Sequence, residues 1–480
     1  MMPKATLIIT YILTIAAAVI FLLAAVPEIY FPYEGHWMEG AMLSEVSWIL
    51  SHHTLYSTPS IYHVPSVYQP LYYYVTAGIT SIIGLSFATA RITSVLATAA
   101  TLAMIYFVVK KETGKFFYAV SAMGLYIAAY GKTEYSYFSA RIDPLLTCLI
   151  VAAFIMVYYA DSYRGLFAGA LFFAVCFFTK QSAMVFIPPV CFYALLTRGW
   201  KQGAFFLGAT GGLILLGVLL LNSSSDGWYT FYTFKVLRFM ANSARWGSAV
   251  YGFFFYIFLR CWFFSILLLV FPLRFFIRKS ERSQNRGSIY FGLFFATGII
   301  AGFLGIVNAG GGHNVLFQAA AGCAIFLPIL ISKIVHEARF GTFVQWLIPL
   351  QLLFLISNPW GDSHNVIRDP DAANYRKFFD YVSSLPGEVW IPYHSFLTQY
   401  TRKAEYTGFD FAAGAMLPDD PRALNLRNQF DTAYSHGHWS NILSDYKQNF
   451  PHYRLSDMIL NLNKFHGSDD SLLYLYTPVK

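Results

Sequence analysis

The sequence specifies a polytopic α-helical membrane protein with a small polar domain towards its C-terminal end, and three observations say so. Of its 480 residues 56% are hydrophobic and only 12% charged, with a mean hydropathy of +0.49. That is far too little charge to cover the surface of a water-soluble chain of this size. Apolar runs recur along the chain at lengths near the ~20 residues that cross a bilayer as a helix. Charge is also unevenly divided. Residues 361–480 carry 11 Lys and Arg against 14 Asp and Glu, whereas residues 1–360 carry 22 against 11.

The apolar runs fall at 5–26, 88–109, 116–131, 143–160, 165–179, 184–197, 203–221, 252–273, 288–307, 314–332 and 342–358. The first is longer than the core of a cleavable signal and lacks a small-residue cleavage site, so it reads as a retained span. The stretch from Leu71 to Leu85 is shorter and contains Gly78 and Gly84. Loop charge decides how to treat it. If it lies in the interface and the N-terminus is inside, the cytoplasmic loops hold 14 of the 22 cations of the membrane part and only four acids, Glu112, Asp161, Glu281 and Glu337. Letting it span would move 13 of those cations outside, against the positive-inside rule. The expectation is about 11 transmembrane helices, a cytoplasmic N-terminus and a first external loop over 27–87 carrying interfacial helices. The region 1–360 is then the membrane domain. Residues 361–480 read as a small α/β or α+β extracytoplasmic domain, with strands at Glu388–Tyr393 and Leu472–Tyr476 and helices at Ala372–Ser384 and Trp439–Phe450.

The basic excess is scattered through short loops, which excludes a nucleic-acid surface. All five cysteines lie in apolar runs without a CxxC pair, so they read as small buried hydrophobes. The histidines show no HExxH spacing and argue no zinc site.

On this topology the remaining acids, Glu28, Glu34, Glu39, Glu45, Glu134, Asp143 and Asp226, gather on the external side. Glu34 and Glu39 stand five residues apart at the mouth of the first span. There they can activate a hydroxyl or hold a divalent cation, or simply belong to a solvated loop with interfacial tyrosines such as Tyr68. Asp143, followed by Pro144, marks a helix start with Arg141 just outside; it reads equally as an N-cap. Lys180, followed by Gln181, suits a phosphate as a point charge, or snorkels. The run Gly310-Gly311-Gly312-His313-Asn314 lets backbone approach a ligand closely. Arg260 lies inside an apolar run, where an ionisable group is a functional candidate by default.

In order and spacing these pieces resemble the GT-C type polytopic glycosyltransferases, in the group of dolichyl-phosphate-mannose-type protein mannosyltransferases and their bacterial lipid A-modifying relatives. The matching pieces are Glu39-Gly40, Tyr56 followed by Tyr68-x-Pro70-Leu71-Tyr72, Ala90-Arg91-x-x-Ser94, Ala140-Arg141-Ile142-Asp143, Thr179-Lys180-Gln181-Ser182 and the glycine-rich turn ending in Asn314. They cover roughly residues 1–335. The resemblance implies a polyprenyl-phosphate-linked sugar donor, used at the external face of the bacterial inner membrane, usually with inversion. It implies a glycan, lipid or protein acceptor. Glu39 matches the loop carboxylate that acts as base, with Glu34 the runner-up, and Asp143 the second acidic position. The lysine that some relatives carry before the Pro-Leu stretch is Gln69 here. Phosphate binding therefore falls to Lys180, Arg141, Arg91 or Arg260. A divalent cation at Glu39 or Asp143 stays open. A flippase of lipid-linked sugars would show repeated broken helices, and a glycan polymerase or ligase would differ only in the size of donor and acceptor.

Overall fold

The computed structural model describes residues 3–241, 246–256, 269, 285–307, 311–335, 344–357, 369–460 and 472–479. Arg260, Gly310 and most of the run 252–273 lie outside the described residues. The first helices are α1 Lys4–Tyr30, α2 Trp37–Leu50, α3 Leu71–Ile83, α4 Phe87–Thr113 and α5 Phe116–Ala128. They are followed by α6 Ile142–Tyr159, α7 Tyr163–Phe177, α8 Ile187–Arg198 and α9 Trp200–Ser224. Beyond these lie helices Trp246–Tyr256, Arg286–Val307, Phe317–Ile334 and Leu347–Ile356.

Six helical segments among the described residues are long and apolar enough to cross a membrane: α1, α4, α6, α9, Arg286–Val307 and His313–Ile334. The last is the hub, with 89% of its apolar window buried, and it packs against Arg286–Val307, α4, α5 and α6. At the other extreme only 11% of the α9 window is buried. Its Leu207, Leu215, Leu216, Leu219 and Leu220 stand exposed, as side chains facing lipid tails do. The 13-residue α3 is about 20 Å long at 1.5 Å per residue, short of a ~30 Å hydrocarbon core.

Helix ends with free carbonyls need partners, and arginines supply them at one end of the bundle. Arg198 donates to Val157 O at 2.9 Å, to Tyr158 O at 3.1 Å and to Ala160 O, all at the C-terminus of α6. Arg286 donates to Tyr158 O and, at 3.1 Å, to the Tyr193 hydroxyl. α4 ends on Gly114 in the left-handed conformation (φ 69°) with Lys110 and Lys111 in its last turn, the residues that complement a helix C-terminus. Glu112 accepts from the Tyr158 and Tyr159 hydroxyls at this same end; Glu28, Glu39, Glu134 and Asp143 lie at the opposite one.

Residues 369–460 and 472–479 build a four-stranded sheet in the order β1-β2-β4-β3: β1 Val389–Trp390, β2 Asn441–Ser444, β3 Tyr453–Leu460 and β4 Leu472–Pro478. β1 and β2 run parallel; the other neighbours are antiparallel. Helices Asp369–Ser384, Phe409–Ala415 and Pro421–Ser435 accompany it. The helix expected over Trp439–Phe450 is wrong. Its core is strand β2, whose four residues are all buried, and a strand buried on both faces shows none of the alternation that identifies one. This unit shares its core with the first loop. Phe31, Leu43 and Phe87 pack in one cluster with Tyr375, Phe378 and Phe379, and Met42, Val46 and Tyr73 in another with Trp390 and Trp439.

Candidate active site

Glu39 and Arg91 form a closed latch. Arg91 donates through Nε to Glu39 Oε1 at 2.8 Å and through Nη2 to Oε2 at 2.6 Å, a bidentate pair, with both residues fully buried. Its remaining donors go to Glu28 O and Phe31 O at the end of α1 and to Tyr33 O. Glu39 also accepts the backbone N–H of Gly35 at 2.8 Å and of Ala140 at 2.7 Å. Burial alone would raise its pKa; the guanidinium outweighs burial and holds the carboxyl below the ordinary range. Glu39 thus joins α1, α2, α4 and the 139–141 segment, and its oxygens are engaged on all sides. The motif glycine follows from the same packing. A Cβ at Gly40 would stand 2.5 Å from Glu34 Oε1, the atom that accepts the Gly40 N–H.

The 139–141 segment is fastened at several points. Besides the Glu39 bond, Ser94 Oγ donates to Ser139 O at 2.6 Å and Ser139 Oγ to Glu28 Oε1 at 2.7 Å. What it holds in place is Asp143, in the first turn of α6. The cap position is Arg141, without a side-chain cap bond, so Asp143 is not the N-cap its sequence allows. Its carboxylate instead accepts from Lys180 Nζ at 2.7 Å and from Asn314 Nδ2 at 2.9 Å, with Arg141 Nε 4.0 Å away. Burial would lower the Lys180 pKa, but Asp143 more than offsets it, and the ammonium stays charged. Gln181, one residue on, donates to Val67 O and Thr233 O and so straps this turn to the first loop, where the Tyr68 ring lies 5.5 Å from Lys180 Nζ.

Glu134 completes the cluster, and the motif reading did not single it out. It lies 3.8 Å from Arg141 Nη1 and accepts the His313 N–H at 2.5 Å. Glu134 and Tyr135 both have positive φ, 59° and 53°, backbone that costs energy in non-glycine residues and concentrates at functional sites. The glycine run serves this carboxylate. A Cβ on Gly312 would sit 2.2 Å from Glu134 Oε1. His313 stacks on Tyr256 at 3.8 Å. With side chains 7% to 21% exposed, Asp143, Arg141, Lys180 and Glu134 form a nearly enclosed site of two acids and two cations.

Glu34 is elsewhere. It is buried against the C-terminal unit, accepting from His394 Nδ1 at 2.7 Å, and His394 Nε2 reaches Asp445 at 2.7 Å. Burial raises the Glu34 carboxyl to about 7. Burial alone would depress His394, but Asp445 and Glu34 push it up to about 10. Among the described residues no group of three or more His, Cys, Asp or Glu side chains is arranged to hold a metal ion. Glu39 and Asp143, the two acids the sequence offered to one, present their oxygens to Arg91 and Lys180 instead.

This architecture has solved counterparts. It aligns with ArnT from Cupriavidus metallidurans bound to undecaprenyl phosphate at a TM-score of 0.60 and 11% identity, over 98% of each chain. The apo form of that protein gives 0.58 and 12%, over 98% of this chain and 97% of the other. The Archaeoglobus fulgidus oligosaccharyltransferase, in complex with Zn and sulfate, aligns at 0.52 and 12%, over 90% of this chain and 68% of its own. Residues 63–221 match the model of the dolichyl-phosphate-mannose-protein mannosyltransferase family. The chain has the fold of the GT-C type membrane glycosyltransferases. No curated protein gives a significant match. The family-matched segment covers about a third of the chain, runs from the first loop into α9 and contains Arg91, Glu134, Arg141, Asp143, Lys180 and Gln181.

Proposed function

We propose that this protein moves a sugar from a polyprenyl-phosphate-linked donor to an acceptor hydroxyl at the external face of the bacterial inner membrane, with inversion, at the Asp143–Lys180–Arg141–Glu134 cluster. The observation that carries the reading is the convergence of Lys180 and Arg141 on Asp143 at the polar end of an apolar bundle. A glycosyl phosphate leaves as an anion, and preplaced cations in a water-poor site stabilise the charge that develops on it. Lys180 and Arg141 are the phosphate ligands in this scheme, and Asn314 keeps the Asp143 carboxylate in register. As the bond from the anomeric carbon to the phosphate oxygen breaks, the acceptor oxygen bonds to that carbon and its proton passes to Asp143.

The base role moves from Glu39 to Asp143 on physical grounds. Both carboxylates face a cation, so the difference lies in their lone pairs: Glu39, held bidentate by arginine and by two backbone N–H groups, has none free for an acceptor hydroxyl, whereas Asp143 takes two side-chain donors and keeps room for one. Glu39 and Arg91 are positioning residues that set the 139–141 segment, and Glu34 belongs to the interface with the C-terminal unit. The test is transfer from a labelled polyprenyl-phosphate sugar in membranes, comparing wild type with Asp143→Asn and Lys180→Met. Losses of about 10²- to 10⁴-fold are expected for the general base. Full activity in both variants on a proven donor would remove the site.

A further inference from the structure

The first loop and the C-terminal unit line a pocket of ≈ 240 Å³ to which no residue of the transfer cluster contributes. One wall is the α2 face carrying Ser44, Glu45 and Trp48; the others are the 53–64 segment and residues 392–408. Two carboxylates line it. Glu45 is held by the Ser66 N–H at 2.6 Å and by His63 Nε2 at 3.1 Å, and Glu405 accepts from Ser44 Oγ at 2.5 Å and from Gln399 Nε2 at 3.0 Å. His63 is itself more than nine-tenths buried, yet its Nδ1 has no hydrogen-bond partner among the described residues. Buried polar atoms without a partner are rare and call for one.

The rings around these groups are ordered. Trp48 lies between His53 at 4.0 Å and His63 at 4.1 Å, and Tyr62, half exposed, stacks on Tyr406 at 5.3 Å. Carboxylates, an imidazole and serine hydroxyls beside the half-exposed Tyr62 ring are groups that bind neutral polyhydroxylated rings: acids accept O–H donors, and the aromatic ring covers the apolar C–H face. Two acids in the wall repel phosphates and other anions. Pro392 in the lining removes a backbone donor that an extended peptide would use. A short chain segment links the pocket wall to the transfer cluster. The 66–68 segment that caps Glu45 through Ser66 continues to Tyr68, over Lys180.

We infer that this pocket binds a neutral sugar residue of a glycan acceptor, so that the acceptor is a carbohydrate held between the first loop and the C-terminal unit. The word acceptor rests on the transferase reading; the binding does not. The test is saturation-transfer NMR on the full-length protein in nanodiscs, with methyl α-mannoside, methyl β-glucoside and methyl β-galactoside as probes. At least one probe is expected to give a signal that falls fivefold or more in Tyr62→Ala and Glu405→Gln. Undecaprenyl phosphate binding is expected to be unchanged in both variants and lost in Lys180→Met. Silence from all three glycosides, a signal indifferent to both substitutions, or competition by a serine-containing peptide in place of the sugars would overturn the inference. A glycoside signal that survives in a protein without transfer activity would remove the proposed function and leave the pocket standing.

Discussion

Glu39 and Asp143 are both buried acids opposite a cation, and their surroundings assign them different work. Glu39 has four donors within 2.8 Å, all from the protein. Asp143 has two side-chain donors and a more distant arginine. Glu39→Gln should therefore act on the fold. Taking away one partner of a buried pair and leaving Arg91 charged costs about 3–5 kcal/mol, so a lower melting temperature in detergent and a lower yield are expected. Asp143→Asn leaves Lys180 and Arg141 without their carboxylate, but in a site that is less completely buried, so a smaller drop in melting temperature together with a loss of turnover is expected. If Glu39→Gln instead melts normally and is inactive, the base is Glu39 after all. The sequence showed Arg141, Asp143, Lys180 and Asn314 as polar residues interrupting apolar runs, which is legible from composition. It could not show which partner each one takes, because Asp143 as a cap and Asp143 as a ligand of Lys180 are written identically. Glu134 counts among the external acids in the sequence, but nothing there sets it apart, because positive φ is not visible in a residue that is neither glycine nor asparagine.

The 311–316 turn and the 133–143 connection act as one element, because Gly312 admits the Glu134 carboxylate where any side chain would block it. Gly312 has φ −102°, so alanine there strains no backbone and acts only through the 2.2 Å collision. Gly312→Ala is expected to cost about 1–3 kcal/mol as an overpacked site and to raise the KM for donor by displacing Glu134 from Arg141. Glu134→Asp added to it, with one methylene fewer, should recover part of the loss; a double variant no better than the single one would sink this account. At this scale the long helices were readable, since twenty apolar residues allow few other outcomes. The short pieces were not. The interfacial helices of the first loop have no fixed bounds in the sequence; α2 begins at Trp37 because the His36 side chain accepts the Met38 N–H. β2 does not read as a strand in sequence because Ile442 and Leu443 are both buried, on opposite faces, and leave no alternation.

At the scale of the whole molecule, the shared core that joins the C-terminal unit to the membrane part is reinforced by a buried ionisable group, His394, between Glu34 of the first loop and Asp445. Its folded pKa of about 10 lies above the 6.5 of a free histidine. The stability it contributes is complete below about pH 6.5 and fades as pH rises through about 10. Glu34, raised from 4.5 to about 7, likewise binds its proton more tightly when folded, so its contribution falls between those values. Both groups make docking weaker as pH rises, and above pH 7 the histidine governs. Protease cleavage between the membrane part and the C-terminal unit should accelerate from pH 7 to pH 10 more in wild type than in His394→Gln, which has no proton to lose there. The variant should be cleaved faster than wild type at pH 7 and at a similar rate at pH 10. Parallel pH profiles for the two proteins would show that His394 does not reinforce the junction. The sugar pocket lies across this same junction, so loosening it should also weaken glycoside binding, with the same midpoint and without changing the affinity of the Lys180 cluster for polyprenyl phosphate.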